Sequence, residues 1–550
     1  MKNSVISGLL LRTALAGGLV LLAACDVQQQ NEQRSTGATV SEANAKASSG
    51  LYEAPASMGA PMETRERKTQ IILPGLEDRE NYADLDESPV HLVSQAPVST
   101  FSVDVDTGSY TNMRRYLNEG QLPPKEAVRI EEFVNYFDYD YPIPSDQDAP
   151  FTVTTEVAPT PWNGNTKLLH IGIKAYDEPH AERPPANLVF LVDVSGSMQA
   201  RDKLPLLQSS LKLLVNRMRE QDRIALVTYA GNTQLVLEPT AGDEKAKIIR
   251  AIDNLTAGGS TNGEAGINLA YDQAEETMIE DGINRVILAT DGDLNVGLSN
   301  VDKLRDLIKE KRKSGVSLSV LGFGTGNLND HLLEQVADFG NGNYAYIDTL
   351  SEARKVLVEE ISSTLMTVAK DVKLQVEFNP GIVAEYRLIG YENRALKRED
   401  FNNDKVDAGE IGAGHTVTAL YEVALVGSNG TKVDPLRYSD PAVLTASQNE
   451  LAFIKVRYKE PEGKKSKLLE YPVMVADMHD DLRETGNRFR FSAAVAAFGH
   501  YLRDSDYLGE MSLLDIQELA ESSLGEDIQG YRREFVTLLE LADGLNLASR

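Results

Sequence analysis

Apolar and polar positions follow two rhythms along this chain, and each change of rhythm marks a part. From residue 186 to about 350, uninterrupted apolar runs alternate with segments whose apolar side chains return every three or four residues. NLVFLVD (187–193), RIALVTYA (223–230), QLVLEP (234–239), RVILAT (285–290) and VSLSVLGFG (316–324) are runs. Such a run fits a strand covered on both faces. KLPLLQSSLKLLVNRMRE (203–220), DEKAKIIRAIDNL (243–255), NGEAGINLAYDQAEETM (262–278), VDKLRDLIKEKRKSG (301–315) and NDHLLEQVADFG (329–340) predict helices. Pro205 falls in a first turn, where it is tolerated. Strict alternation predicts an α/β unit over 186–365, with a doubly wound, mostly parallel sheet.

The flanks differ. FTVTTEV (151–157) and KLLHIGIKAY (167–176) read as strands within a 151–185 β segment. From about 370 the period is two. VKLQVEF puts Val372, Leu374, Val376 and Phe378 on one side, and HTVTALYEVALVG (415–427) and LAFIKVRYKE (451–460) behave alike. Residues 366–480 therefore predict antiparallel sandwich strands. A doubly wound unit often has close termini, so it can be inserted into another fold. The two strand groups are expected to join into one β-sandwich around it. The mixed region 69–150 predicts helices at TNMRRYLNEG (111–120) and KEAVRIEEFVNYFDY (125–139), the second with Ile130, Val134 and Phe137 on one face. DVDTGSY (104–110) lacks the EF-hand ligand set and reads as a structural turn. YFDYDYP (136–142) reads as surface with half-buried packing. RFSAAVAAFGHYLRD (490–504) and YRREFVTLLELADGLN (531–546) predict a helical segment over 481–550.

The N-terminus stands apart from the fold. Lys2 and Arg12 precede TALAGGLVLLAA (13–24), the pattern of a secretory signal over 1–24. It is too short for an ordinary spanning helix. The chain's one cysteine, Cys25, follows in LLAAC. This resembles the bacterial lipobox, which implies that Cys25 is lipidated and becomes the mature N-terminus. Several acyl tails exceed the two signals that stable anchoring needs. Residues 25–68 then form a lipidated cysteine and a disordered tether, rich in Gln, Asn, Ser, Ala, Glu and Gly. The expected location is the cell envelope, facing the periplasm or exterior. Asp26 favours the inner membrane if the enterobacterial sorting rule holds. With no second cysteine the fold stands without disulfides. The formal net charge of −28 argues against nucleic acid, which requires a basic patch.

Three loops carry the candidate chemistry. DVSGS ends the first run, GGSTNG (258–263) enters a helix, and TDGD (290–293) ends another run. In an open parallel sheet, ligands bind beyond the carboxyl ends of the strands. The loops bring together Asp193, Ser195, Ser197, Thr261 and Asp291, an all-oxygen donor set without His or Cys. That suits Mg²⁺ or Mn²⁺ rather than zinc. Neutral hydroxyls leave the cation Lewis-acidic, so a carboxylate from another molecule can complete its coordination. Catalysis is not expected. GFGTG (322–326) departs from the dinucleotide fingerprint, no P-loop lysine motif or G-x-S-x-G elbow occurs, and the histidines are scattered. His170 reads as a satisfied strand histidine.

Residues 186 to about 360 resemble a von Willebrand factor type A domain, and DVSGSM, GGSTNG and TDGD resemble its metal-ion-dependent adhesion site. The flanks STFSVDVDTGSY, LPPKEAVRIEEFVNYFDYDYP and GEIGAGHTVTALYEV are similar to those of a bacterial family carrying this domain. The resemblance implies Ser195, Ser197 and Thr261 as direct ligands, with Ser260 an alternative to Thr261. It implies Asp193 and Asp291 as direct or water-mediated ligands, and Asp293 as a supporting residue behind them. The function it implies is capture of a protein partner presenting an acidic residue. The alternative is a subunit of an envelope or metal-handling assembly that uses the site internally. A metal-dependent hydrolase is the third reading, and it lacks a base. For the anchor, Cys25→Ser is expected to leave the protein unprocessed at that site or released from membranes. Palmitate labelling and membrane fractionation check it, and an acylated, membrane-bound mutant contradicts it.

Overall fold

A computed structural model describes residues 79–84, 86–103, 106–144, 149–177, 183–260, 263–292, 301–434 and 449–549. The signal segment, Cys25, the tether, Thr261 and Asp293 lie outside these residues.

The central unit is a six-stranded sheet in the order Tyr344–Ile347, Ser317–Phe323, Ile283–Thr290, Ala186–Asp193, Arg223–Tyr229, Thr233–Ala241. The first five strands run parallel and the last is antiparallel to its neighbour. Along Ala186–Asp193 every position is buried. Leu188, Phe190 and Val192 enter one core with Leu207, Leu211, Leu214, Ile248 and Ile252. Val189 and Leu191 enter another with Ile267, Ala270, Leu304, Ile308, Leu333 and Val336. Helices cover both faces, which is why the strand shows no alternation.

The flanking strands form two further sheets. One has the order His91–Leu92, Val383–Ile389, Thr416–Leu425, Asn163–Ala175, Phe151–Thr160. Asn163–Ala175 precedes the central unit and Thr416–Leu425 follows it, yet they pair directly, with His170 opposite Leu420. The other sheet contains Ile411–Gly412, Thr367–Phe378, Glu450–Lys459 and Lys467–Met474, with Val98–Ser102 also pairing Thr367–Phe378. Leu169, Ile171, Ile173, Val417 and Tyr421 from the first sheet share a core with Val372, Leu374, Val376, Phe378 and Ile454 from the second. The α/β unit is inserted into this sandwich, between Ala175 and Thr367.

A helical layer covers the outer face of the first sheet. Gly108–Asn118 and Ile130–Asn135 from before the insert pack with Asn487–Arg503, Leu513–Glu521 and Tyr531–Ser549 from the end of the chain. The helix expected over 125–139 is shorter: a 3₁₀ turn at Lys125–Ala127 and a helix at Ile130–Asn135. Beyond it the chain loops, with Asp140 at φ 55°, and buries Tyr136, Phe137, Tyr139 and Tyr141 almost completely. The surface reading of YFDYDYP is thus corrected. The Tyr141 ring lies over Gly172, where a Cβ would come within 2.2 Å of it. Its hydroxyl is 2.9 Å from His170 Nε2. Burial pushes His170 down to about 3, so this histidine is neutral.

Three arginines, Arg114 and Arg129 buried and Arg394 half-buried, tie the insert to its frame. Arg114 bonds Asp348 at 2.5 and 2.8 Å, Glu352 at 2.8 Å, Tyr136 at 2.9 Å and Glu534 at 3.0 Å. Arg129 pairs with Glu132 and with Asp330 at 2.5 Å. Arg394 reaches Asp106, Glu334 and Asp338. Asp106, from the DVDTGSY segment, also accepts the Tyr344 amide at 2.9 Å; Asp104 and Val105 lie outside the described residues. Removing one partner of a buried pair strands the other charge. Arg114→Met is expected to lower stability by about 3–5 kcal/mol in urea unfolding. A loss below about 1 kcal/mol contradicts a tie of this kind.

Candidate metal site

The strand Ala186–Asp193 delivers Asp193 to the carboxyl edge of the parallel sheet with no solvent exposure. The Ser195 amide donates to Asp193 Oδ1 at 2.8 Å, which turns the chain sharply after the strand. A short 3₁₀ turn, Gly196–Gln199, follows. The turn brings the Ser195 and Ser197 hydroxyl oxygens to 2.9 Å from each other.

The second loop is stitched to the first through backbone. The Gly258 amide donates to Val194 O at 2.7 Å, and the Gly196 amide donates to Gly259 O at 3.1 Å. Gly259 stands at φ +93°, where a side chain would be strained. Ser260 lies exposed on the rim. Thr261, the ligand expected from this loop, lies outside the described residues.

The third loop follows Ile283–Thr290. Thr290 Oγ1 donates to Asp193 Oδ2 at 3.3 Å and accepts the Gly292 amide at 3.2 Å. Asp291 is fully buried beside it. Gly292 has φ +98°, and a Cβ there would come within 2.5 Å of the Asn329 amide nitrogen.

Burial pushes the Asp193 carboxyl up to about 6, with the Asp291 charge adding to the effect and the Ser195 hydrogen bonds opposing it. Two carboxylates thus share a dry floor, while Gly196, Ser197 and Gly258–Ser260 form a solvent-open rim. The donor set fits a small hard cation. Octahedral Mg²⁺ at about 2.0–2.1 Å from its ligands spaces adjacent oxygens about 2.9 Å apart. Ser195 and Ser197 are hydrogen-bonded to each other at 2.9 Å, an ordinary hydroxyl separation that is also compatible with that edge. Among the described residues no cluster of three His, Cys, Asp or Glu forms a competing site.

The structure adds a residue that motif reading missed. Lys203 Nζ lies 3.0 Å from Asp291 Oδ2 and 2.7 Å from Asn327 Oδ1. A lone lysine before an amphipathic helix gives no sequence signal, because its partner is 88 positions away. The GFGTG run serves this contact: Gly324 and Gly326 take φ +75° and +86° in the loop beside Lys203.

The family model for the von Willebrand factor type A domain matches residues 187–361, the unit that carries all three loops. A model described as von Willebrand factor matches 76–170, and one described as the C-terminal part of the uncharacterized protein YfbK matches 363–545. YfbK of Escherichia coli (strain K12) is 50% identical over 503 residues, 90% of this chain and 85% of that one. The chain belongs to the YfbK family of von Willebrand factor type A proteins. Inter-alpha-trypsin inhibitor heavy chain H3 of Mesocricetus auratus is 27% identical over 260 residues, 44% of this chain and 29% of that one. A von Willebrand factor type A structure from Catenulispora acidiphila is similar at 15% identity and TM-score 0.40, covering 71% of this chain and 91% of that one. In this YfbK-family chain, Asp193, Ser195, Ser197 and Asp291 converge at one sheet edge.

Proposed function

We propose that this YfbK-family protein is a lipid-anchored envelope protein that captures a protein partner through Mg²⁺ or Mn²⁺, with the partner's Glu or Asp carboxylate completing the coordination. The observation that carries it is the pair of hydroxyls spaced 2.9 Å apart over two buried carboxylates on an open rim. Ser195 and Ser197 would bind the cation directly, with Thr261 or Ser260 as a third hydroxyl ligand. Asp193 and Asp291 would balance its charge, directly or through water. Mg²⁺ held there supplies an open, Lewis-acidic position for an incoming oxygen. The exposed rim lets a second protein reach it. The chain's own part is to fix the hydroxyls and to set the two carboxylates beneath them.

Cys25 is the proposed anchor, with Asp26 favouring the inner membrane. Among the described residues no helix is long and apolar enough to cross a membrane. No catalysis is proposed.

Asp193→Ala removes a carboxylate from the floor and is expected to abolish partner capture while leaving the fold largely intact. The check is pull-down from membrane extract by wild type and mutant, each in Mg²⁺ and in EDTA. Partners held by wild type in Mg²⁺ are expected to be lost in the other three conditions. The same partners retained with EDTA and by Asp193→Ala contradict the proposal.

A further inference from the structure

Lys203 is a fixed charge under the site rather than a surface lysine. Its side chain is 8% exposed and its partner Asp291 is 0% exposed. The stem has room because residue 324 is glycine, where a Cβ would come within 2.3 Å of the Lys203 carbons. The second acceptor, Asn327, belongs to a loop clamped by the chain entering the fold. Arg79 N donates to Gly326 O at 3.0 Å, Asn81 N donates to Leu328 O at 2.9 Å, and the Gly326 amide donates to Glu80 at 2.8 Å. Glu80 in turn accepts from Arg115 at 2.7 Å. The ammonium is therefore held from both ends.

We infer that Lys203 is the built-in counter-charge of the metal site: it offsets Asp291, so that the cation-loaded site is net positive and selects an anionic, carboxylate-bearing ligand, with weaker cation binding as the consequence. This role rests on the metal-dependent reading of the same site. Asp193 and Asp291 alone would neutralise a divalent cation. Counting the described floor residues Asp193, Asp291 and Lys203, one positive charge is left over beside a divalent cation. The whole chain carries −28, so an acidic partner meets repulsion at long range. Salt screens that repulsion beyond roughly 8 Å, whereas a net positive charge on a buried floor acts at contact, where screening is weak. The same ammonium repels the entering cation.

The test uses the detergent-solubilised full chain and Mn²⁺ alone as the first probe, in calorimetric titration of wild type, Lys203→Gln, Lys203→Arg and Asp193→Ala. Lys203→Gln keeps a donor for Asp291 without the charge and is expected to bind Mn²⁺ about tenfold more tightly. Lys203→Arg keeps the charge and is expected to stay within about threefold of wild type. Acetate is the second probe. Its binding to the Mn²⁺-loaded protein, read as a fall in water-proton relaxation, is expected to weaken several-fold in Lys203→Gln. In metal-free protein, Lys203→Gln is expected to unfold at a lower temperature and to gain more from Mn²⁺. Equal or weaker Mn²⁺ binding by Lys203→Gln, or unchanged acetate binding, overturns the role of Lys203. Absence of Mn²⁺ binding by wild type, or equal binding by Asp193→Ala, overturns the metal reading itself.

Discussion

Parallel register in the central sheet is the constraint from which the site follows. Ala186–Asp193 runs between Arg223–Tyr229 and Ile283–Thr290, with Asp193 opposite Tyr229 and Val192 opposite Ala289. The two strands that end in carboxylate loops therefore stop together, and Asp193 meets Thr290 and Asp291 across one ladder step. Apolar side chains on both faces hold that register. A slip of one residue would invert the faces and separate the loops. The hydroxyl pair, the stitched glycine loop and the buried lysine are all arranged around this shared strand ending.

The frame around the sheet fixes the insert at several points. Asn163–Ala175 and Thr416–Leu425 close one ladder across the inserted unit. Arg114, Arg129 and Arg394 then bridge the insert and the frame through buried carboxylates. Buried ion pairs are weak evidence of net stability, because desolvation offsets the attraction. Their consequence is specificity: a different docking of the insert would strand several charges. The chain entering at Arg79–Asn81 adds a contact at the loop that holds Lys203 through Asn327. The frame is thereby connected to the floor of the candidate site through a short run of hydrogen bonds.

Much of this was legible in the sequence where burial is simple. NLVFLVD announced a doubly covered strand because both of its faces meet helices. Val372, Leu374, Val376 and Phe378 announced a sandwich face because all four are buried on one side. Val383–Ile389 escaped because Glu385 and Arg387 interrupt the apolar pattern. In the fold, Arg387 pairs with Glu422 at 3.1 Å and Glu385 accepts the Lys432 and Val433 amides. Lys467–Met474 escaped because most of its positions are not buried. The helix Leu513–Glu521 carried an unread signal, the capping box of Ser512 and Asp515. In the site, Asp193, Ser195, Ser197 and Asp291 were legible from motif spacing. Lys203 was not, since only the folded chain brings it to Asp291.

The proposed site sets two buried carboxylates, two hydrogen-bonded hydroxyls and one fixed ammonium at one sheet edge. The proposed metal-dependent capture rests on those features. The most direct measurement is a crystal structure of the protein soaked in Mn²⁺, with the ion located by its anomalous scattering. The account predicts one strong peak about 2.2 Å from both the Ser195 and Ser197 hydroxyl oxygens, on the open side of Asp193 and Asp291. A well-ordered three-loop edge without a peak at saturating Mn²⁺, or a peak bound only elsewhere, would contradict it.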